Sequence, residues 1–186
     1  FNDLSEVVGE NAPSTFGTFI ATMCKSIAVH CGELQEIDAI SYGKMLNWAA
    51  EGVMKRGGAK QGDKTLLDAL IPASDAALAA GANGDNFATT ARIAGEKAVA
   101  GAENTINLKA TTGRAGYMGE RTVGSKDPGC SDFNDIFQLC KYVNGNKDPP
   151  TRARLFSLAS QLNKVLMNAN FLSPITVFWV QTNQMI

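Results

Sequence analysis

Apolar residues recur every three or four positions through the first part of the chain. The spacing is clearest over residues 15–29, 37–54, 66–80 and 87–102, and residues 1–8 keep it as well. A period of about 3.6 residues is that of an amphipathic helix with one apolar face. The sequence therefore predicts a series of helices over these ranges.

Glycine-containing turns separate the predicted helices. Gly32 and the pair Gly57-Gly58 each follow an apolar stripe. Pro72 is expected to kink or restart its helix rather than end it. No alternation of the strand type occurs in residues 1–130. The fold class is therefore predicted to be all-α, an antiparallel bundle or barrel of helices joined by short turns.

The last part of the chain has a different character. Apolar positions at helical spacing occur over residues 133–140 and 155–166, with a proline pair between them. Residues 175–180 are β-branched and aromatic, which is typical of extended chain or of apolar packing material. We predict one helical domain over residues 1–130 and a divergent helical C-terminal extension over residues 131–186.

Composition narrows the range of functions. The chain has 186 residues, of which 45% are hydrophobic, enough for a globular domain with a sizeable core. A formal net charge of −1 argues against a broad nucleic-acid interface, which needs a basic excess. No segment has the pattern of a signal peptide or the length of a membrane span. A soluble, cytoplasmic protein without nucleic-acid or membrane partners is expected. Because no methionine opens the sequence, the natural chain is expected to extend upstream.

The cysteines and the one histidine predict no metal site. None of the four cysteines belongs to a CxxC pair, and His30 is the one imidazole, so zinc ligation is not expected. Cys24 and Cys31 would lie about 10 Å apart in one helix, too far for a disulfide. We expect buried free thiols, as in a reducing compartment.

Two glycine-rich stretches carry the candidate chemistry. Residues 56–70 read RGGAKQGDKTLLDAL, a turn followed by Asp63 at the expected N-cap of a helix. Glycines let the backbone come close to a ligand, and a helix start offers free N–H groups to an anion. On its own, such a stretch is more often only a capped helix. Residues 113–129 read GRAGYMGERTVGSKDPG and add two arginines and an Asp-Pro-Gly turn.

Together the two stretches resemble the nucleotide-binding L subunit or domain of the dihydroxyacetone (glycerone) kinases. That family carries a segment like GDKTMLDAL and, later, one like GRASYLGERSxGxxDPG. Residues 62–70 and 113–129 match these segments, with Leu66 in place of methionine in the first. Residues 8–11 read VGEN, like the segment that precedes the family's phosphate loop. The resemblance covers about residues 1–130 and implies a helical barrel with nucleotide at one end.

The resemblance implies an ATP/ADP site that is drawn from several parts of the chain. By position its members are Thr15, Phe16, Gly57, Leu66, Arg114, Asp127, Pro128 and Gly129. Thr15 and Phe16 would end the phosphate loop, while Gly57 and Leu66 would face the adenine. Arg114 would lie beside phosphate, where its planar fork can bind two oxygens. The last three residues would form the final turn around the nucleotide. No catalytic residue is implied.

Two departures from the family affect this site. Where the family has GGTSG, residues 13–17 read PSTFG, so Pro13 removes a backbone donor and Phe16 adds a bulky ring. Both changes should weaken an amide nest for phosphate. The acidic GDxDxG segment that holds Mg²⁺ in the family would lie upstream of Phe1, and no carboxylate cluster replaces it. Mg²⁺ is expected for the family, while no metal ligand is predicted in this chain.

The resemblance leaves more than one function open. The first is the ATP/ADP-binding domain of a dihydroxyacetone-type kinase, which transfers the ATP γ-phosphate to a small ketose held by a separate K domain or subunit. Nucleotidyl cyclisation in the same ATP site is a variant of it. The alternative is a degenerate, non-catalytic nucleotide-binding or regulatory module of the same fold. A purely structural helical domain is the third possibility, and a homodimer is left open.

Overall fold

A computed structural model of the chain describes residues 1–11, 14–32, 37–131 and 133. Every regular element in those residues is helical, which confirms the all-α prediction. The longer helices are α1 (Asn2–Asn11), α2 (Thr15–Cys31), α3 (Ala39–Gly57), α4 (Leu67–Ala82) and α5 (Phe87–Asn104). Shorter elements follow: a 3₁₀ turn (Thr105–Asn107), α6 (Gly113–Gly116) and a second 3₁₀ turn (Gly119–Thr122). The helices expected over 133–140 and 155–166 and the tail at 175–180 lie outside the described residues, residue 133 excepted.

Polar side chains begin three of the long helices. Ser14, Asp38 and Asn86 precede α2, α3 and α5, and each side-chain oxygen accepts the backbone N–H three residues further on. These bonds satisfy amides that have no partner inside the helix. At the other end of α3, Gly58 takes a left-handed conformation (φ 66°) and donates its N–H to the Met54 carbonyl. The glycine pair therefore ends α3, as predicted.

Pro72 lies inside α4, and the helix continues past it to Ala82. A proline has no N–H to donate to the carbonyl four residues earlier, which here belongs to Asp68. The backbone of α5 comes very close at that point, because a Cβ placed on Gly101 would lie only 2.1 Å from the Asp68 carbonyl oxygen. The Asp68 carbonyl, which Pro72 leaves without its helical donor, is thus the point where Gly101 of α5 comes close to α4.

Each long helix packs against the next one in the chain, from α1 through α5, with a smaller contact between α3 and α5. Short connections between such neighbours give an antiparallel, up-and-down order. The starts of α2 and α4 and the ends of α3 and α5 consequently lie at the same end of the bundle. We call this end, marked by Thr15, Gly57, Leu67 and Asn104, the site end.

Small residues let these helices approach closely. A Cβ on Gly52 of α3 would lie 2.6 Å from the Ser26 Cβ of α2, and one on Gly43 would lie 2.8 Å from the Leu78 nitrogen of α4. Buried alanines line α4 and α5, and Leu67 and Leu70 are fully buried among them. The core is therefore built from small side chains and close backbones.

Cys24, Cys31 and Cys130 are free thiols, while Cys140 lies outside the described ranges. Within those ranges, none of the helices combines the length and the apolar character that crossing a bilayer requires.

Candidate functional site

Lys64 joins the two glycine-rich stretches at the site end. Its residue is buried, with 5% of its surface exposed. Its ammonium donates to three backbone carbonyls of the later stretch, those of Leu108 at 3.0 Å, Thr122 at 2.5 Å and Ser125 at 2.6 Å. An ammonium has three donors and no acceptor, so these three carbonyls use its whole bonding capacity. The chain from residue 108 to residue 125 is folded around this one side chain.

Asp63, immediately before Lys64, holds the same later stretch at another point. Its Oδ1 accepts the Thr111 hydroxyl at 2.6 Å, and its backbone carbonyl accepts the Thr111 N–H at 3.3 Å. Its Oδ2 accepts the Lys60 N–H at 2.8 Å. The hydrogen bond from Thr111 lowers the pKa of Asp63, because it stabilises the ionised carboxylate.

Asp63 is therefore not the N-cap of α4, and that prediction was wrong. The helix begins at Leu67 without a side-chain cap on the preceding residue. Asp68, in the first turn of α4, binds the turn that precedes the helix: Oδ1 accepts the Gly62 N–H at 2.6 Å and Oδ2 accepts the Thr65 N–H at 2.8 Å. The reason is local geometry. Lys64 has a left-handed backbone (φ 59°), which turns the chain so that Asp63 faces the later stretch.

Residues 111–122 form a closed loop between the fastened points, which we call the arc. At its base, the Thr122 hydroxyl accepts the Ala110 N–H at 2.9 Å, and Lys109 pairs with Glu120 at 2.8 Å. The arc carries Arg114, whose residue is exposed. Among the described residues, no hydrogen bond or ion pair to the Arg114 guanidinium is present. Its charge is thus available to an anion.

The Asp-Pro-Gly turn is fastened to the first stretch through Cys130. Asp127 donates its N–H to the Thr105 hydroxyl at 3.0 Å and accepts the Cys130 N–H at 2.7 Å through Oδ2. The Cys130 thiol donates to the Thr65 carbonyl at 2.8 Å. Burial raises the pKa of the Cys130 thiol, so it stays protonated as this donor requires.

The residues expected to face the phosphates and the adenine lie at the same end. Thr15 is exposed at the start of α2, and Phe16 packs its ring against the core cluster that contains Leu66. Gly57 is the last residue of α3, and a Cβ placed on it would lie 4.0 Å from the Phe19 ring. The structure brings Phe16 and Leu66 to one cluster. Arg114 lies on the arc and has no described contact with them.

The carboxylates of the described residues at the site end do not form a magnesium site. Both oxygens of Asp68 and both of Asp63 accept hydrogen bonds from protein donors, and one oxygen of Asp127 does the same. No group of three or more metal-ligating side chains occurs among the residues that the structure describes. Magnesium needs several free hard oxygens together, so these residues do not fit it.

Asp127 predicts a pH effect on stability. Burial, aided by the nearby Asp68 charge, raises the pKa of Asp127 above its ordinary 3.8, although the hydrogen bond from the Cys130 N–H and the Lys64 charge act in the opposite direction. The folded protein then holds this proton more tightly than the unfolded chain, so the Asp127 contribution to stability falls as pH rises from 3.8 through the raised pKa.

The side chain of the Asp127→Asn variant cannot titrate. We therefore expect the unfolding free energy of this variant, relative to that of the unmodified protein, to rise across this pH window. Urea unfolding at a series of pH values measures it, with the exposed Asp75→Asn as the control. Parallel curves for Asp127→Asn and the unmodified protein would contradict the assignment.

Comparison with known proteins gives a consistent set of relatives. A profile of the DAK2 domain matches residues 1–140. The ADP-binding subunit DhaL of the PEP-dependent dihydroxyacetone kinase of Escherichia coli (strain K12) is 30% identical over 136 residues, which cover 73% of this chain and 62% of that protein. A putative 3,4-dihydroxy-2-butanone kinase of Solanum lycopersicum is 36% identical over 131 residues, 69% of this chain and 22% of that protein. The L-erythrulose 1-kinase of Mycolicibacterium smegmatis is 37% identical over 103 residues, 54% of this chain and 16% of that protein. The chain thus spans less than two thirds of each of these relatives.

Proposed function

Because the chain belongs to the DAK2 domain family, whose profile matches residues 1–140, we propose that it is the ATP/ADP-binding domain of a dihydroxyacetone-type kinase. The γ-phosphate of ATP would pass to a small ketose held by a separate K domain or subunit in the cytoplasm. The Escherichia coli relative, which is named as an ADP-binding subunit, supports the nucleotide as ligand. The boundary at residue 130, with residues 131–186 as an extension, stays a prediction, and the family match continues past it.

The junction at Lys64 is the observation that supports this function best. It brings the arc with Arg114 to the end of the bundle where α2 and α4 start. The turn at residues 127–129 reaches the same end through the bond between Cys130 and Thr65. Segments that are far apart in the sequence thus meet at one end of the bundle, which supports a nucleotide site at that end.

Charge and backbone donors at the site end suit a polyphosphate. Phosphoryl transfer depends mainly on positioning and on stabilising charge at the phosphate oxygens. Arg114 supplies an exposed guanidinium, which can bind two of those oxygens at once. At the start of α2, no hydrogen bond from the Thr15 or Phe16 amide occurs within the described part of the chain, so both amides can bind an anion. In this proposal, these groups hold the phosphates while the K part supplies the acceptor.

Mg²⁺ is expected for the family, but the described residues do not fit it. A second function, a nucleotide-binding module without turnover, is favoured by the start of α2. There the Ser14 hydroxyl already accepts the Gly17 N–H at 2.9 Å, so that amide is lost to phosphate. The Phe16 ring is packed against the core. ADP binding without phosphorylation of dihydroxyacetone, in the presence of a K subunit and Mg²⁺, would support this second function over the kinase.

Arg114→Ala tests the nucleotide site directly. A charge-assisted hydrogen bond to phosphate is worth about 1.5–3 kcal/mol, so the dissociation constant for ADP should rise by roughly tenfold or more. Arg114→Lys should recover only part of the loss, because an ammonium cannot reproduce the fork. Calorimetric titration of ADP measures the affinities, with thermal melts alongside.

Arg121→Ala is the matched control, because Arg121 is also exposed on the arc. It should leave the ADP affinity close to that of the unmodified protein. If Arg114→Ala folds normally and binds ADP as well as the unmodified protein does, Arg114 is not part of the site. A melting temperature that falls without a change in affinity would give Arg114 a purely structural role.

A further inference from the structure

We infer that Lys64 is a positioning residue for nucleotide binding: it fixes the place of Arg114 through the arc, without touching the nucleotide. The choice of nucleotide as the ligand rests on the proposed function, while the link between Lys64 and the arc is seen directly in the hydrogen bonds of Lys64.

Two consecutive residues before α4 bind the two ends of the arc, and just beyond the arc Gly124 donates its N–H to the Ile106 carbonyl at 2.8 Å. Asp63 holds its first residue, Thr111, by a side-chain bond and a backbone bond. Lys64 holds its last residue, Thr122, and the flanking carbonyls of Leu108 and Ser125. Any change in the backbone at residues 63 and 64 is therefore transmitted to both ends of the arc.

Between those ends the arc bonds only to itself and its base. The described hydrogen bonds of residues 112–121 stay within residues 109–123, for example Gly116 N–H to the Thr112 carbonyl at 3.0 Å. None of these bonds reaches the long helices. The position of Arg114 relative to α2 and α4 consequently depends on how the two ends are fastened.

The unfavourable backbone and the buried charge of Lys64 indicate that this residue does more than fill space in the core. Lys64 adopts a left-handed backbone (φ 59°), which is unfavourable for a residue with a side chain. It also places a charge in a site that is 5% exposed. Such strain persists where the surroundings determine it, and it is concentrated at functional sites. Here it directs three donors at three carbonyls of one loop, which an apolar side chain cannot do.

Lys64→Met removes the ammonium and keeps much of the side-chain length. We expect the amides of the arc to exchange hydrogen faster in this variant, while those of α4 and α5 keep their protection. The ADP affinity should fall by roughly tenfold, as for Arg114→Ala. Lys109→Met is the matched control, because Lys109 contacts the same loop through an exposed ion pair with Glu120. Exposed pairs contribute little, so its exchange pattern and ADP affinity should change only slightly.

The double variant Lys64→Met/Arg114→Ala separates positioning from general destabilisation. If Lys64 acts through Arg114, the double variant binds ADP about as weakly as Arg114→Ala alone. Independent, multiplying losses would overturn the inference, and so would an arc that stays as protected in Lys64→Met as in the unmodified protein.

Thr111→Val keeps the test decisive if Lys64→Met does not fold. It removes the Thr111 hydroxyl bond to Asp63 and should loosen the arc and weaken ADP binding in the same direction, to a smaller extent. Unchanged exchange and affinity in Thr111→Val would then overturn the inference. An unmodified chain that binds no ADP would instead overturn the proposed function, together with the nucleotide role of Lys64. Hydrogen exchange would still decide whether Lys64 holds the arc.

Discussion

Gly101→Ala is expected to lower the free energy of unfolding by about 3 kcal/mol, the upper part of the usual range for overpacking. The new Cβ would lie 2.1 Å from the Asp68 carbonyl oxygen and 3.1 Å from the Ala69 Cα. Both neighbours are backbone atoms of α4, so no side chain can rotate away. The two helices must separate, which disturbs the core between them. Thermal and urea unfolding measure the loss, with Tm falling by about 2–4 °C per kcal/mol.

Gly95→Ala is the matched control on the same helix. A Cβ at Gly95 meets no heavy atom within 4 Å, and the backbone there is ordinary helix. Alanine in a helix interior is favoured over glycine by roughly 0.5–1 kcal/mol, so this variant should be more stable than the unmodified protein. The two substitutions should thus have opposite signs. A Gly101→Ala protein as stable as the unmodified one would contradict the close contact between α4 and α5.

The all-α fold could be predicted because its signals are local. An apolar face repeats within a few residues, and a glycine such as Gly58 ends a helix through its own backbone preference. Pro72 was expected to interrupt α4 without ending it, and the helix does run through it. Each of these helix features depends on residues only a few positions apart in the chain, and such residues can be compared in the sequence alone.

The roles of the residues at the start of α4 could not be predicted in the same way. Asp63 and Asp68 both stand near the expected helix start, and the sequence alone favoured the first as a cap. The choice is decided by the left-handed backbone of Lys64 and by Thr111, which lies 48 residues further along the chain. Neither is visible in the local pattern.

Lys64 itself was matched in the family resemblance without being given a role. Its three partners lie 44, 58 and 61 residues downstream, and all three are backbone carbonyls. Every residue type has that carbonyl, so no side-chain pattern marks the contact. The signal that was available is a lysine between Asp63 and an apolar run in a short glycine-rich turn. The nucleotide contacts carried over from the family stay predictions, because they depend on a ligand.

Asp68→Asn is expected to destabilise the protein by roughly 2–3 kcal/mol, within the range for the loss of a hydrogen bond to a charged group. The Asp68 residue is 4% exposed, and its two oxygens accept the Gly62 and Thr65 N–H groups at 2.6 and 2.8 Å. An asparagine offers one oxygen and one NH₂ group, so one of the two backbone N–H groups would face the NH₂ group, which cannot accept its hydrogen bond. Loss of the charge also weakens the remaining bond.

A smaller effect acts in the opposite direction. The Asp68 charge helps to raise the pKa of Asp127, so its removal eases the burial of the Asp127 carboxylate. Burial is the larger cause of that raised pKa, and the relief should therefore not offset the lost hydrogen bond. Urea unfolding near neutral pH measures the net change.

Asp75→Asn is the matched control, since Asp75 lies on the same helix with its residue exposed. It removes the same charge from α4 and should change the unfolding free energy by less than about 0.5 kcal/mol. Equal losses in the two variants would mean that helix charge, and not the bonds to Gly62 and Thr65, explains the effect. A stable Asp68→Asn protein would show that the turn before α4 holds its shape without this carboxylate. In that case the backbone of Lys64 would have to be fixed mainly by its own contacts with the later stretch.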